Sequence, residues 1–254
     1  MTRVIAVANQ KGGVGKTTTV VNLAAALAEI GKLVVVIDLD PQGALSIILG
    51  FDPYLVEPST YHLLMHPAIS LKKVLRRVTN NLLIAPANAE LIAAEYQLLK
   101  AQDRSNRLRK ALNNRPGIID FILIDTPPNL GLLTVNGLSA ARELLIPVPT
   151  EYLAMRGVRP LLDAVWKIRE RINPDLQLLG VVPTMYRENS PFAEQALVEI
   201  HSVFKNKVAR TPIPNDEVAV VAPAARQTVF DFDPDSAIAV AYRKLAEEVN
   251  HAQV

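Results

Sequence analysis

Residues 10–18 read Gln-Lys-Gly-Gly-Val-Gly-Lys-Thr-Thr, a combination of side chains and bare backbone suited to gripping a polyphosphate. Glycines let consecutive N–H groups curl around an anion, Lys16 adds a positive charge, and Thr17 offers a hydroxyl to a magnesium ion. Gly12, Gly13, Val14 and Gly15 form the cradle and Thr18 continues it into the next element, so the chemistry allowed is the binding of a nucleoside triphosphate. The ordinary phosphate-loop pattern asks for glycine five positions before the Gly-Lys pair, where this chain has Gln10, and a second lysine, Lys11, precedes the glycines.

Acids follow at two other places. The run Val34-Val35-Val36-Ile37-Asp38-Leu39-Asp40-Pro41-Gln42-Gly43 ends a hydrophobic stretch with two carboxylates at alternate positions, which point to the same side of an extended segment. Either could poise water or magnesium. Phe121-Ile122-Leu123-Ile124-Asp125-Thr126-Pro127-Pro128 is a second apolar run closed by an acid. Asp125 there either caps a helix or holds magnesium beside the terminal phosphates, and the glycine loop favours the metal role.

These groups converge only if strands bring them to one rim. Apolar runs at 3–8, 33–38, 82–85, 118–124, 143–148 and 178–184 read as strands and alternate with amphipathic segments, among them Thr17 to Ile30 with Val20, Leu23, Ala24, Leu27 and Ile30 at helical spacing. Such alternation predicts βαβ units: an α/β fold with a mainly parallel twisted sheet, helices on both faces and ligands at the carboxyl ends of the strands. At 254 residues, half of them apolar, the chain fits a single domain over 1–254. No repeat, low-complexity tract or Ser/Gly linker divides it, and many of the prolines fall at element ends.

Lysine and arginine total 27 against 25 acids, so attraction to nucleic acid or membrane must come from a local patch. The absence of cysteine removes disulfides, thiolate metal sites and iron–sulfur ligation. The amino terminus does not read as a signal peptide, the longest apolar stretches are strand-sized, and a cytoplasmic protein is expected. His62, His66, His201 and His251 stand away from the motifs and read as surface or packing residues.

KGGVGKTT resembles the deviant Walker A box of the ParA/MinD family of P-loop ATPases, and Asp38 to Gly43 resembles the DxDPQG box of ParA/Soj-type partition ATPases. IDTPP at 124–128, NNLLIAPANAE at 80–90, EYLAMRG at 151–157, NPDL at 173–176, GVVPTMY at 180–186, and the stretches 207–214 and 242–249 are similar to ParA/Soj segments in the same order. The resemblance implies a deviant Walker P-loop NTPase fold, ATP and Mg2+ as cofactors, and slow, partner-stimulated ATPase activity. It assigns Lys16 to the phosphates, Lys11 to ATP held by a partner subunit, Asp40 to the attacking water, Asp38 to a supporting role, and Thr17 and Asp125 to the metal. It also lays Pro214 and the loop through Asp216 against the adenine and makes Asn129 to Leu138 a γ-phosphate-sensing switch.

What the ATPase serves follows from the same likeness. An ATP-dependent homodimer would bind non-specific DNA and be released when a ParB-like or other cargo adaptor stimulates hydrolysis, segregating a plasmid or chromosome or positioning a protein cargo; the ATP-bound form would be nucleoid-associated. The alternatives are a MinD-like membrane-associated positioning ATPase and a metabolic ATP-dependent ligase of the same fold. The carboxyl terminus, with Glu247 and Glu248 and no bulky apolar face beyond Val249, is a poor ligand for an anionic membrane. Ala44 stands where the family commonly has Asn, and residues 215–220, Asn-Asp-Glu-Val-Ala-Val, lack the DNA-binding arginines common in Soj-type relatives; Asn189 stands at another such position. The basic residues left for DNA are Arg187, Lys205, Lys207, Arg210, Arg226, Arg243 and Lys244, or Lys72, Lys73, Arg76 and Arg77 on one side of a helix that turns Leu71, Val74, Leu75 and Val78 inward.

Overall fold

The computed structural model describes residues 1–151 and 158–252; of the 151–157 stretch, only Glu151 is among them. β1 (Arg3–Val7), β2 (Val34–Asp38), β4 (Leu82–Ala85), β5 (Phe121–Asp125), β6 (Glu143–Pro149) and β7 (Gln177–Thr184) run parallel. β3 (Arg76–Arg77) adds an antiparallel edge, giving the order β3-β4-β2-β5-β1-β6-β7.

Alternation along each central strand divides its side chains between two cores. Val34 and Val36 of β2 enter one, with Ile5 and Val7 of β1 and Leu123 of β5. Val35 and Ile37 enter the other, with Val4, Ala6, Ile122 and Ile124. Both faces are therefore apolar, which is why these strands read as continuous hydrophobic runs. Each fully buried aliphatic side chain stabilises the fold by about 1.5–3 kcal/mol.

The first core is covered by α1 (Lys16–Glu29), α2 (Ala44–Ile48), α11 (Val229–Phe232) and α12 (Ala237–His251). Helices α3 (Thr60–Met65), α4 (Leu71–Val74), α5 (Leu91–Leu98), α6 (Arg107–Asn113), α7 (Leu132–Ala140), α8 (Val158–Arg171) and α9 (Pro191–Phe204) cover the second. After α9 come a 3-10 turn (Lys205–Lys207) and α10 (Val218–Ala224).

The helix expected across residues 71–78 is shorter. It stops at Val74, and Arg76 and Arg77 form the edge strand. Arg76 explains the break: its guanidinium donates to the carbonyls of Lys73, Val74 and Leu75 at 3.0–3.2 Å and to Glu57 O at 2.7 Å, closing the helix end. The four basic residues thus share no helix face, and Arg76 is occupied.

Candidate functional site

The carboxyl ends of β1, β2 and β5 lie side by side, with Val7 and Asp38 both in register with Asp125. The glycine loop leaves β1 and enters α1 at Lys16. Gly13 and Gly15 have φ of 70° and 88°, left-handed values at which a Cβ would be strained. Buried Asn9 ties the loop down, donating to Pro147 O at 2.7 Å and accepting from Lys11 N at 3.1 Å. Val14 is buried, and its carbonyl accepts from Thr184 Oγ1 at 2.9 Å; it shapes the loop through its backbone. α1 opens with no side-chain cap and no acid in its first turn, so its free N–H groups and positive dipole end face the loop's concavity, an arrangement suited to an anion.

The two lysines diverge. Lys16 is buried, and its Nζ donates to Lys11 O at 3.2 Å. Burial lowers its pKa, while the charges of Asp125 and Asp40 pull the other way. The Lys11 ammonium instead reaches Glu151 Oε2 at 3.2 Å, with both side chains about half exposed.

Three acids face this cradle in different surroundings. Asp125 is fully buried; its Oδ2 accepts from Thr17 Oγ1 at 2.7 Å, and its Oδ1 has no hydrogen-bond partner. Burial first, and then the negative charge of Asp38, raise its pKa well above the carboxylate range. An orphaned buried carboxylate oxygen beside a threonine hydroxyl is a donor pair that fits a hard divalent cation such as Mg2+. Asp38 is also buried, and its pKa is pushed up to about 7 by that burial, against hydrogen bonds from Ser46 N and Oγ at 2.9 and 2.7 Å and from Asp40 N. It anchors α2 from beneath. Asp40 is half-buried at the rim, where its Oδ1 accepts from Gln42 N at 2.9 Å.

A pocket of about 320 Å³ joins these parts, lined by Gly12, Gly13, Gly15 to Thr18, Asp40 and Pro128 on one side and by Pro214, Asn215 and Asp216 on the other. Pro214 thus stands where a base could lie. Asp216 serves the loop itself: its Oδ1 accepts from Val218 N at 3.0 Å and its Oδ2 from Ile238 N at 3.3 Å, tying the starts of α10 and α12 together. Just before the stretch 129–138, Thr126 Oγ1 donates to Val7 O at 2.8 Å; the stretch itself begins as a short loop and becomes α7, whose Thr134 Oγ1 donates back to Asn129 O at 2.6 Å.

Thr184, Met185 and Tyr242 also line the pocket. Sequence reasoning did not assign them, although Thr184 and Met185 lie within GVVPTMY. Tyr242 on α12 lies 3.3 Å from Thr19 on α1 through its hydroxyl, a contact that no local pattern encodes.

The DNA candidates separate into three groups. Lys205, Lys207, Arg210 and Lys244 line one cleft of about 810 Å³ between the 3-10 turn and the end of α12, together with Glu247 and Glu248. Arg187 lies against Asn215, whose amide oxygen, suitably oriented, accepts from Nε at 2.7 Å and Nη2 at 3.0 Å; Arg226 is exposed after α10. Arg243 is already engaged, making two bonds to Glu29 at 2.7 and 3.0 Å, a third to Pro234 O at 2.7 Å, and a cation–π contact with Phe230.

Comparison with known proteins matches residues 2–178 to the AAA domain family. The sporulation initiation inhibitor protein Soj of Bacillus subtilis is 40% identical over 249 residues, covering 98% of each chain. The chromosome partitioning protein ParA of Caulobacter vibrioides is 39% identical over 97% of this chain and 93% of its own. The fold matches the crystal structure of cobyrinic acid a,c-diamide synthase from Mycobacterium smegmatis with bound ADP and magnesium, at a TM-score of 0.85 and 38% identity over 97% of this chain and 93% of that one. With its doubled-lysine phosphate loop, its strand-end acids and this near full-length similarity, the chain belongs to the ParA/Soj-type partition ATPases of the ParA/MinD family.

Proposed function

We propose that the chain binds Mg·ATP in the glycine-loop pocket, dimerises face to face on it, holds DNA without regard to sequence, and lets go when a ParB-like or other cargo adaptor stimulates hydrolysis. The carrying observation is the divergence of the two lysines. Lys16 is turned into its own cradle, whereas the Lys11 ammonium stands at the mouth on a solvent-screened partner, Glu151. Two copies that each carry a triphosphate repel one another unless cations come between them, and Lys11 is free to be exchanged from Glu151 to a phosphate across the interface.

Within one subunit, the α1 N–H groups and Lys16 hold the terminal phosphates, and Thr17 with Asp125 holds the magnesium, which when bound neutralises charge between those phosphates. Asp40 stands at the rim to orient the attacking water and accept its proton. Asp38 holds α2, and with it the Asp40 turn, in place. Pro214 lies against the base, and Asp216 fixes that loop. Hydrolysis is slow without the adaptor, because a positioning switch needs a long-lived bound state.

DNA is held through the cleft containing Lys205, Lys207, Arg210 and Lys244, with Arg187 and Arg226 as further contacts. Dimerisation doubles these contacts, and log affinity falls by roughly 0.9 per phosphate contact for each tenfold rise in salt, so a monomer releases where a dimer holds. The protein then works in the cytoplasm, on the nucleoid when ATP-bound. Among the described residues, no helix is long and apolar enough to cross a membrane. A ligase reading, raised by the name of the M. smegmatis protein, requires a nitrogen donor, and the chain has no cysteine to release ammonia from glutamine.

The test is a gel shift on random duplex DNA with ADP, ATP and a non-hydrolysable analogue across a salt series. Retention with triphosphate alone supports the reading; no retention at low salt, or a brisk unstimulated ATPase, overturns it.

A further inference from the structure

Away from the phosphate loop, over the carboxyl end of β4, three side chains converge with no role in the reading above. Glu57 precedes α3, His62 lies in its first turn, and Glu90 sits at the start of α5; one ligand atom from each lies within 4.8 Å of the other two. His62 Nε2 stands 3.9 Å from Glu90 Oε2, and Glu57 makes no ion pair among the described residues. Two carboxylates brought this close repel unless a cation lies between them.

A buried neighbour braces one of these carboxylates. Asn88 is 4% exposed, and its amide donates to Glu90 Oε2 at 3.1 Å, while its carbonyl oxygen is buried without a partner. The imidazole is oriented from behind, since buried Ser59 approaches Nδ1 with its hydroxyl at 3.2 Å and its N–H at 3.3 Å. The Ser59 N–H donates to Nδ1, which puts the neutral ring's proton on Nε2, facing the carboxylates; for Nε2 to ligate a cation, that proton moves to Nδ1, where the Ser59 hydroxyl can accept its hydrogen bond.

We propose that Glu57, His62 and Glu90 bind a divalent ion of the zinc class, with Asn88 holding Glu90 in position. One imidazole nitrogen and two carboxylates suit Zn2+, whereas Mg2+ prefers an all-oxygen octahedron. The two glutamates are exposed, so the ion enters from solvent and water completes its coordination. Bound there, it joins the segment before α3, α3 itself and the start of α5, adding a cross-link over that edge of the sheet.

Calorimetric titration of the full chain with ZnCl2, in excess MgCl2 to occupy the phosphate-loop site, tests this. The expected result is one strong equivalent, weakened about tenfold or more in E57Q and in E90Q, abolished in H62A and unchanged in H66A. E57Q alters only an exposed side chain, so it tests the site even if H62A disturbs the start of α3. The proposal is overturned if the wild type shows no strong equivalent, if the triple variant E57Q/H62A/E90Q binds as the wild type does, or if H66A abolishes binding, which would assign the ion to the His62–His66 pair, whose rings stand 5.7 Å apart.

Discussion

The ammonium of Lys16 donates to the backbone carbonyl of Lys11 at 3.2 Å, so one lysine of the phosphate loop braces the backbone of the other while the Lys11 side chain points away to Glu151. One loop therefore presents an inward and an outward cation.

Replacing each lysine separates these roles. Lys16→Ala removes the buried charge and is expected to abolish measurable ATP binding by calorimetry. Lys11→Ala is expected to leave monomer affinity nearly unchanged but to weaken ATP-dependent dimerisation in sedimentation velocity. A Lys11→Ala protein that dimerises normally contradicts the contact across the interface.

Asp40→Ala keeps the cradle and the Thr17–Asp125 pair and loses only the rim carboxylate. The expected outcome is a retained ATP-dependent dimer with turnover reduced by about a hundredfold or more, read as phosphate release. An unchanged rate removes Asp40 from the mechanism.

Gly43 closes the turn that carries Asp40, donating from its N–H to Asp40 O at 2.9 Å at a φ of 63°. A Cβ there would lie 2.6 Å from the ring of Pro53. Left-handed strain and overpacking together predict that Gly43→Ala destabilises the fold by about 2–4 kcal/mol in urea unfolding. A loss of less than about 1 kcal/mol would mean that the turn rearranges freely.

Asp38 makes stability depend on pH. Its folded-state pKa, raised to about 7, exceeds the unfolded value of about 3.9, so folding takes up a proton between the two. The contribution is complete below the unfolded value and is lost as pH rises through the folded one. In metal-free buffer with chelator, wild-type stability should therefore fall relative to Asp38→Asn between about pH 4 and pH 7. Parallel pH profiles for the two proteins would refute this.

The basic cleft gives a contrast on DNA. Lys207→Glu combined with Lys244→Glu should abolish ATP-dependent retention at moderate salt, with a shallower salt slope at low salt. Arg243→Gln should change retention little, because that guanidinium is held by Glu29 and Pro234. The reverse ranking would move the DNA surface from the cleft to the side of α12 that carries Arg243.

Much of this protein is readable from the chain alone, because the relevant physics is local. Apolar runs buried on both faces mark the six parallel strands to within a few residues, and the glycines of residues 12–15 announce a loop that only bare backbone can form. Asp38, Asp40 and Asp125 are legible because strand ends in a parallel sheet deliver their side chains to one rim. The two-residue strand β3 escaped notice, since Arg76 and Arg77 form no apolar run and a single guanidinium ends the helix before them.

Folding in three dimensions settled the rest, by bringing together residues distant in sequence. Strand order sets β7 beyond β6 and lets Thr184 close over Val14, as α12 returns to lay Tyr242 on Thr19. Competition for hydrogen bonds engages Arg243 and Asp216 in the framework and turns Lys11 outward. The Glu57–His62–Glu90 cluster has the same origin: its members come from separate segments and meet only when α3 and α5 pack on the same face of the sheet. Backbone chemistry is written residue by residue, but which charges remain free depends on neighbours that only the packed chain supplies.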